Sequence, residues 1–196
     1  MLRCGQFVRS VLRHRGDVGG IRLRRDFACQ LFLRLQLFLP HMKAHGEEGH
    51  IVNTASINGV AGAPLAGPYS ATKFAVVGLS EVLAAELAET PIGVSVLCPS
   101  WVKTRMLDNG RNRPARFGGP IKLDADNANA ERNARYAKAL ESGLDPADVA
   151  QLVIGAIEAR RLFVFTHAET RTAVERGYQL MIEGFDALDG SQHKAG

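Results

Sequence analysis

The sequence is poor in cysteine, the residue that cross-links small secreted domains, with three among 196 residues. The cysteines, Cys4, Cys29 and Cys98, are odd in number and widely spaced, which indicates neither a disulfide framework nor a paired metal motif. This use of cysteine is typical of a reducing compartment. We therefore expect a cytoplasmic protein without a bound metal.

Long apolar runs are also lacking. The most apolar early segment, residues 27–40, contains Gln30, Arg34 and Gln36 and is shorter than the roughly 20 residues that a transmembrane helix needs. No uninterrupted apolar core precedes a small-residue cleavage site, so a secretory signal is not indicated. We expect no membrane span.

The net charge of +4 comes from one end of the chain. Residues 1–40 contain eight arginines and two acids, whereas the remainder holds 16 basic and 18 acidic residues. Basicity confined to one end, without interleaved aromatic residues, does not predict nucleic-acid binding. The asymmetry predicts a boundary instead, between an arginine-rich, irregular leader at residues 1–37 and a catalytic domain at residues 38–196. A frameshift, a new leader and an organellar targeting segment are alternative explanations of residues 1–37.

From residue 38 onward, strand and helix signals alternate in the manner of a parallel α/β sheet. Strands are predicted at residues 50–55, 93–98 and 162–166. Helices are predicted at residues 69–89, around 130–140, from the pair Asp145-Pro146 onward, and at 173–188. The long polar stretch at residues 103–143 exceeds an ordinary connection and predicts a functional flap.

Three histidines, His41, His45 and His50, have a spacing that would suit metal ligands if they lay on one helix. Gly46 and Gly49 lie between them and disfavour a helix there. We therefore expect these histidines on the solvated surface, without a metal.

A serine, a tyrosine and a lysine follow the first predicted strand in an order that suits proton transfer. Reduction of a carbonyl needs a group that gives a proton to the substrate oxygen, and a phenol can do so when a neighbouring ammonium stabilises the phenolate. Tyr69 and Lys73 are four residues apart at a helix start and therefore share a face. Ser56, just after the strand, can fix the substrate oxygen at the sheet edge where ligands bind in such folds.

With Ser56 thirteen residues before Tyr69, the Tyr-x-x-x-Lys pattern resembles the active-site signature of the short-chain dehydrogenase/reductase family. The segments IVNTAS, YSATKFAVVGLSEVLAAEL and IGVSVLCPSWVKT are similar to that family, and the resemblance covers about residues 38–186. It implies a Rossmann-like parallel sheet with flanking helices, namely the catalytic half of a doubly wound fold.

The same resemblance implies a role for each matching residue. Tyr69 is the acid/base, Lys73 binds the ribose hydroxyls of the cofactor and stabilises the phenolate, and Ser56 holds the substrate oxygen. The nicotinamide end of the cofactor is lined by Pro99, Val102 and Thr104, with the last reaching the carboxamide. The implied cofactor is NAD or NADP, the implied substrate is a small alcohol or carbonyl compound, and the protein is expected to be a homo-oligomer.

The sequence departs from the family upstream of this signature. Only 55 residues precede Ser56, and Gly16, Gly19 and Gly20 lie among arginines rather than between a strand and a helix. The family's amino-terminal β–α–β unit with its phosphate-binding turn is therefore missing by sequence, together with the residue that selects NAD or NADP.

Two smaller departures concern the catalytic half. No asparagine occupies the position near Phe27 where the family carries one for proton relay, and Ser100 replaces the usual glycine after Pro99. Two functions remain open at this point. The chain is an NAD(P)-dependent oxidoreductase, or it is a catalytically inactive fragment that acts as a subunit-interaction module with a full-length relative.

Overall fold

The computed structural model describes residues 27–106, 114–117 and 130–192. In chain order the elements are α1 (Phe27–His45), β1 (Gly49–Thr54), α2 (Gly67–Glu86), β2 (Ile92–Cys98), α3 (Ala130–Glu141), α4 (Pro146–Glu158), β3 (Phe163–Phe165) and α5 (Arg171–Gln192). Most of the leader predicted at residues 1–37 lies outside the described residues, as does the middle of the flap predicted at residues 103–143.

The strand β2 is the centre of a three-stranded parallel sheet with the order β1-β2-β3. Thr54 at the end of β1 lies opposite Leu97, and Cys98 at the end of β2 lies opposite Phe165. All seven residues of β2 are buried, because helices cover both of its faces and no side of the strand meets water. The parallel sheet with flanking helices confirms the predicted fold class.

The two faces of β2 pack against different helices. On one face, the buried apolar residues are Val94 and Val96 of β2, Val76, Val77 and Leu83 of α2, and the neighbouring Leu87. On the other face, Leu97 packs against Val149 and Ala156 of α4 and against Val164 of β3. This arrangement gives three layers, helix–sheet–helix, around one core.

The helix α1 packs on the same side of the sheet as α2. Leu35, Leu39 and Met42 pack against the cluster that contains Leu83 and Leu87. The helix also runs through residue 37, so the part of the predicted leader that the structure describes, residues 27–37, is helical. The boundary between leader and domain stays a prediction. Within the described ranges, no helix is both long and apolar enough to cross a membrane.

Helix starts follow the turn chemistry of the sequence. The side chain of Asp145 accepts a hydrogen bond of 2.9 Å from the Ala147 backbone N–H, and Pro146 occupies the first position of α4. Pro68 lies in the first turn of α2, where a missing N–H costs no helical hydrogen bond. Both helix starts agree with the sequence signals.

The prediction that His50 is a solvated surface residue holds only in part, because His50 is half-buried. His50 lies in β1, and its Nε2 is 2.8 Å from Ser95 Oγ of β2, which itself donates to the Arg161 carbonyl oxygen at 2.6 Å. Because that hydroxyl hydrogen is used for Arg161, Nε2 of His50 is the donor to Ser95. The ring has room beside β2 because Gly93 has no side chain; a Cβ at Gly93 would collide with the imidazole. His41 is exposed, as predicted.

Burial of His50 makes stability depend on pH. Its pKa lies below the ordinary 6.5, mainly because burial disfavours the charged ring and secondly because Arg160 is positively charged nearby. The unfolded chain binds this proton more readily, so the stability that neutral His50 contributes is full above about pH 7 and is lost as pH falls through the lowered pKa.

We therefore expect the free energy of unfolding, measured with urea, to decrease as the pH falls below about 6.5, the pKa of the histidine in the unfolded chain. His50→Gln should remove this part of the decrease, whereas His41→Gln, on the exposed face of α1, should keep it. Equal pH slopes in the two variants would contradict the assignment.

Candidate active site

Ser56 lies at the carboxyl end of the sheet, in the loop that follows β1, and it is buried. The backbone on both sides of it is tied to the neighbouring strand. Ala55 N–H donates to the Leu97 carbonyl oxygen at 2.8 Å, and Ile57 N–H donates to the Pro99 carbonyl oxygen at 2.9 Å. These two bonds fix Ser56 beside the end of β2 and place Pro99 close to it; the role predicted for Pro99 at the nicotinamide end stays a prediction.

The hydroxyl of Ser56 caps a short 3-10 helix at Ile57–Gly59. Its Oγ accepts a hydrogen bond of 3.2 Å from the Asn58 backbone N–H. This bond orients the side chain and uses one lone pair of the oxygen. The hydroxyl hydrogen is not used by the cap, so it suits an oxygen acceptor on a substrate.

Lys73 points from α2 to the end of β1. It is buried, and its Nζ donates to the Thr54 carbonyl oxygen at 3.1 Å. The pKa of Lys73 is below the ordinary 10.5, mainly because burial disfavours the ammonium; Cys98 acts in the opposite direction. Sequence reasoning found Lys73 but not Thr54, because the partner is a backbone carbonyl and no residue type signals it.

Tyr69 lies one helical turn before Lys73 and remains accessible, with 42% of its surface exposed. The ammonium nitrogen of Lys73 is 5.7 Å from the centre of the Tyr69 ring. This is within the distance at which a cation and an aromatic ring attract each other. The structure thus brings a buried ammonium and an accessible phenol together at the same sheet edge as Ser56.

Gly59 determines how close the loop that follows Ser56 lies to α2, the helix that carries Lys73. A Cβ at this position would be 2.7 Å from the Lys73 carbonyl oxygen and 3.0 Å from the Val77 side chain. Only glycine permits this approach. The sequence shows a glycine-rich loop, but its pattern does not distinguish Gly59 from Gly62, which has nothing within 4 Å.

A second polar link between β1 and α2 escaped the sequence reasoning. Asn53 Nδ2 donates to Ser80 Oγ at 2.9 Å, and that hydroxyl donates to the Val76 carbonyl oxygen at 2.7 Å. Asn53 and Ser80 are both buried. The sequence pattern could have indicated this link, because Asn53 is a polar residue in a mainly apolar strand and Ser80 lies on the apolar face of the following helix.

Cys98 is buried at the end of β2, close to Ser56 and Lys73. Burial raises the pKa of its thiol to about 11, although the Ser56 backbone N–H and the Lys73 charge both act to lower it. A thiol with such a pKa stays protonated near neutral pH and is unreactive. Cys98 is therefore a small buried residue, as the sequence predicted.

The segment after β2 carries the remaining predicted residues. Val102 forms a parallel bridge with Leu144, whose N–H donates to the Trp101 carbonyl oxygen at 3.0 Å. Thr104 is exposed just beyond this bridge. It lines an open depression of about 360 Å³ together with Lys103, Arg105, Leu140 and Glu141. Pro99 thus lies beside the loop that follows Ser56, and Thr104 lines an open depression further along the same segment.

The described part of the predicted flap is anchored on this segment. The rings of Trp101 and Tyr136 are 5.4 Å apart at an angle of 46°. Gly143 lets the chain pass close beneath, since a Cβ there would be 2.5 Å from the Trp101 carbonyl oxygen. The helix α3 is therefore packed over the chain that leads from β2 to Thr104.

Residues 30–115 match the short chain dehydrogenase family. A C alpha-dehydrogenase of Sphingobium sp. strain SYK-6 is 32% identical over 158 residues, which is 81% of this chain and 50% of that protein. A crystal structure of a short chain dehydrogenase/reductase from Burkholderia phymatum in complex with NAD is 33% identical and aligns with a TM-score of 0.70 over 80% of this chain and 57% of that chain. The chain belongs to the short-chain dehydrogenase/reductase family.

This short-chain dehydrogenase/reductase chain spans about half the length of the curated relatives it matches. One of them, a CLA biosynthesis dehydrogenase/reductase of Lactiplantibacillus plantarum, is 31% identical over 70% of this chain and 49% of that protein. The family match begins at residue 30, inside α1, and so reaches further upstream than the resemblance seen from residue 38 onward.

The close approach at Gly59 leads to a test of the site's architecture. We expect Gly59→Ala to push the loop that follows Ser56 away from α2 and to lower the free energy of unfolding by about 1–3 kcal/mol, the usual cost of overpacking. Gly62→Ala is the matched control, because a Cβ there meets nothing within 4 Å. Urea denaturation measures both, and equal stability of the two variants would contradict the tight contact.

Proposed function

We propose that this chain carries the acid–base centre of an NAD(P)-dependent oxidoreductase that acts on an alcohol or carbonyl compound. The observation that carries the proposal is the pair formed by the accessible Tyr69 phenol and the buried Lys73 ammonium, beside the buried Ser56. The names of the similar proteins support this class of reaction, since several are dehydrogenases and one crystal structure contains NAD.

Tyr69 is the group that exchanges a proton with the substrate. In reduction, its hydroxyl gives a proton to the carbonyl oxygen while hydride reaches the carbon; in oxidation, the phenolate takes the proton back. The Lys73 charge, 5.7 Å from the ring, stabilises the phenolate formed in reduction. The bond to the Thr54 carbonyl keeps that charge in place between cycles.

Ser56 positions the substrate oxygen in this proposal. Its Oγ is oriented by the Asn58 N–H and can donate its own hydrogen to the oxygen that Tyr69 protonates. Two donors directed at one oxygen hold the carbonyl in the geometry needed for hydride transfer. Ser56 follows β1 closely and Lys73 is bonded to the last residue of β1, so the end of this strand positions both groups.

The described residues fit the nicotinamide and ribose end of a cofactor. The Lys73 ammonium suits ribose hydroxyls, and the exposed Thr104 hydroxyl suits the carboxamide, with Pro99 and Val102 between them along the chain. A nicotinamide cofactor, when bound, supplies or accepts the hydride.

The turn that holds the diphosphate in this fold lies upstream of the catalytic strand. The described residues before β1, 27–48, instead form α1 and a short link.

The proposal is tested by measuring nicotinamide absorbance with NADH and NADPH over a panel of carbonyl compounds and, for the reverse reaction, with NAD⁺ and NADP⁺ over a panel of alcohols. We expect Tyr69→Phe to lower kcat/KM by about 10²–10⁴-fold, the usual contribution of a positioned acid/base. Cofactor binding, followed through the single tryptophan Trp101, should be retained. Tyr178→Phe, an exposed tyrosine of α5, is the matched control and should leave the rate unchanged.

Two outcomes would overturn the proposal. One is a wild-type protein that produces no change in absorbance with either cofactor. The other is a Tyr69→Phe variant with the full wild-type rate, which would remove Tyr69 from the acid/base position.

We propose as a second candidate function a subunit-interaction module that associates with a full-length relative. One observation that favours it is that, among the described strands, none lies on the outer side of β1. Large apolar side chains are also exposed on α1 and α2, namely Leu33, Leu37, Phe38, Phe74 and Val82. Co-purification with a full-length relative, without affinity for either cofactor, would favour this function over catalysis.

A further inference from the structure

The peptide group that joins Pro99 to Ser100 is held at both ends. Its carbonyl oxygen, on Pro99, accepts the Ile57 N–H at 2.9 Å, from the loop that follows Ser56. Its N–H, on Ser100, donates at 3.1 Å to the side-chain oxygen Oγ1 of Thr166, the residue just after β3. The two bonds come from opposite sides, because β1 and β3 flank β2. The orientation of the chain as it leaves β2 is therefore fixed by both neighbouring strands.

The bond to Thr166 replaces the next step of the sheet ladder by a side-chain hydroxyl. Earlier in this ladder, the Val96 N–H donates to the backbone carbonyl oxygen of Leu162 at 2.6 Å. Because the bonds of a parallel ladder are evenly spaced, the same pattern continued along both strands would join the Ser100 N–H to the backbone carbonyl of Thr166. The acceptor is Oγ1 instead. The side chain at position 166 therefore decides which acceptor the Ser100 N–H meets.

His167 orients the hydroxyl of Thr166. Its ring nitrogen Nδ1 lies 2.7 Å from Thr166 Oγ1. That oxygen already accepts from Ser100, so the assignment that also uses the hydroxyl hydrogen makes Nδ1 its acceptor and places the hydrogen of the neutral ring on Nε2. The backbone of His167 is fixed in turn, since its carbonyl oxygen accepts from the Thr170 N–H at 3.2 Å and from Thr170 Oγ1 at 2.7 Å.

These bonds reach the segment that is proposed above to line the nicotinamide, residues 99–104. The far part of this segment is attached through Leu144, which forms a bridge with Val102. The near part is attached at the peptide between Pro99 and Ser100. A rotation of that peptide would displace the Thr104 hydroxyl, and a misplacement of about 1 Å at a reacting group can lower a rate by roughly 10²-fold.

We propose that Thr166 and His167 are positioning residues for the nicotinamide-lining segment, residues 99–104. His167 directs the Thr166 hydroxyl, the Thr166 oxygen holds the Ser100 N–H, and that peptide sets the direction of the segment across the carboxyl edge of the sheet. Neither positioning residue contacts the substrate or the cofactor. Both lie outside residues 30–115, which match the short chain dehydrogenase family. The inference rests on the proposed oxidoreductase function and adds the end of β3 to its machinery.

The test compares the KM for NADH and NADPH, and kcat, at a saturating concentration of carbonyl compound. We expect Thr166→Val, which keeps the shape of the side chain and removes its hydroxyl, to raise the cofactor KM by roughly 5- to 50-fold, because the Ser100 N–H loses its acceptor. The value of kcat should change less than KM. Thr166→Ser, which restores a hydroxyl, should return the KM close to the wild-type value.

Thr90→Val is the matched control. The Thr90 hydroxyl accepts the Ile92 N–H at 3.3 Å and donates to the Leu87 carbonyl oxygen at 2.8 Å, so it makes the same two kinds of contact at the opposite end of β2. This variant should unfold at a lower urea concentration than the wild type, yet keep the wild-type cofactor KM. A purely structural role of Thr166 would instead give the two variants the same kinetic behaviour.

The role of His167 is tested through its dependence on Thr166. His167→Asn offers an amide oxygen in place of the Nδ1 acceptor and should keep most of the cofactor affinity, whereas His167→Ala should raise the KM. The double variant Thr166→Val/His167→Ala should have the KM of Thr166→Val alone, because His167 acts through the Thr166 hydroxyl. A KM for the double variant equal to the product of the two separate effects would remove His167 from the proposal.

Amide hydrogen exchange without cofactor separates this inference from the proposed function. The Ser100 N–H should exchange faster in Thr166→Val than in the wild type and in Thr90→Val. Unchanged exchange at Ser100, or a wild-type cofactor KM in an active Thr166→Val enzyme, would overturn the inference and leave the proposed function standing. A wild type without nicotinamide turnover, whose Ser100 amide responds to Thr166→Val alone, would overturn the proposed function and retain Thr166 as the residue that holds the segment.

Discussion

The hydrogen bond from the Lys73 ammonium to the Thr54 carbonyl connects the helix α2 to the last residue of β1. A buried ammonium without an acceptor would be costly, so this bond stabilises the packing of α2 against the end of β1. The approach also requires Gly59, since any side chain there would meet the Lys73 backbone. Ser56, three residues before Gly59, and Tyr69, one turn before Lys73, take their positions from the same contact.

The position of the Thr54 carbonyl also affects which backbone groups are available at the outer edge of the sheet. The ladder to β2 is formed by the odd-numbered residues of β1, as the bonds from Gly49 N–H to the Pro91 carbonyl and from Ala55 N–H to the Leu97 carbonyl show. Backbone groups of His50, Val52 and Thr54 therefore point outward. Lys73 occupies the outward carbonyl of Thr54, so a strand added beside β1 would have to end before reaching the site.

The periodicity of the sequence predicted most of the fold. The mostly apolar sequence of β2 and the turn chemistry at Pro68 and Asp145 located this strand and the two helices within a few residues, because those signals are local. The order of Ser56, Tyr69 and Lys73 likewise located the candidate site.

Contacts between distant segments were not predictable in this way. The environment of His50 depends on Ser95 and on the missing side chain of Gly93, both on another strand. The acceptor of Lys73 is a backbone atom, which every residue offers equally. Gly59 could not be distinguished from Gly62 until the helix that it touches was located.

The parallel sheet has a consequence for how the chain folds. Each strand pair joins segments separated by at least one whole helix, so no hairpin can start the sheet. The ladders of β2 therefore form only after two long loops have closed, each at an entropic cost. Until then the apolar β2 remains open to other chains. Slow closure of these crossovers lengthens the time during which β2 can associate with other chains, and this competition grows with protein concentration.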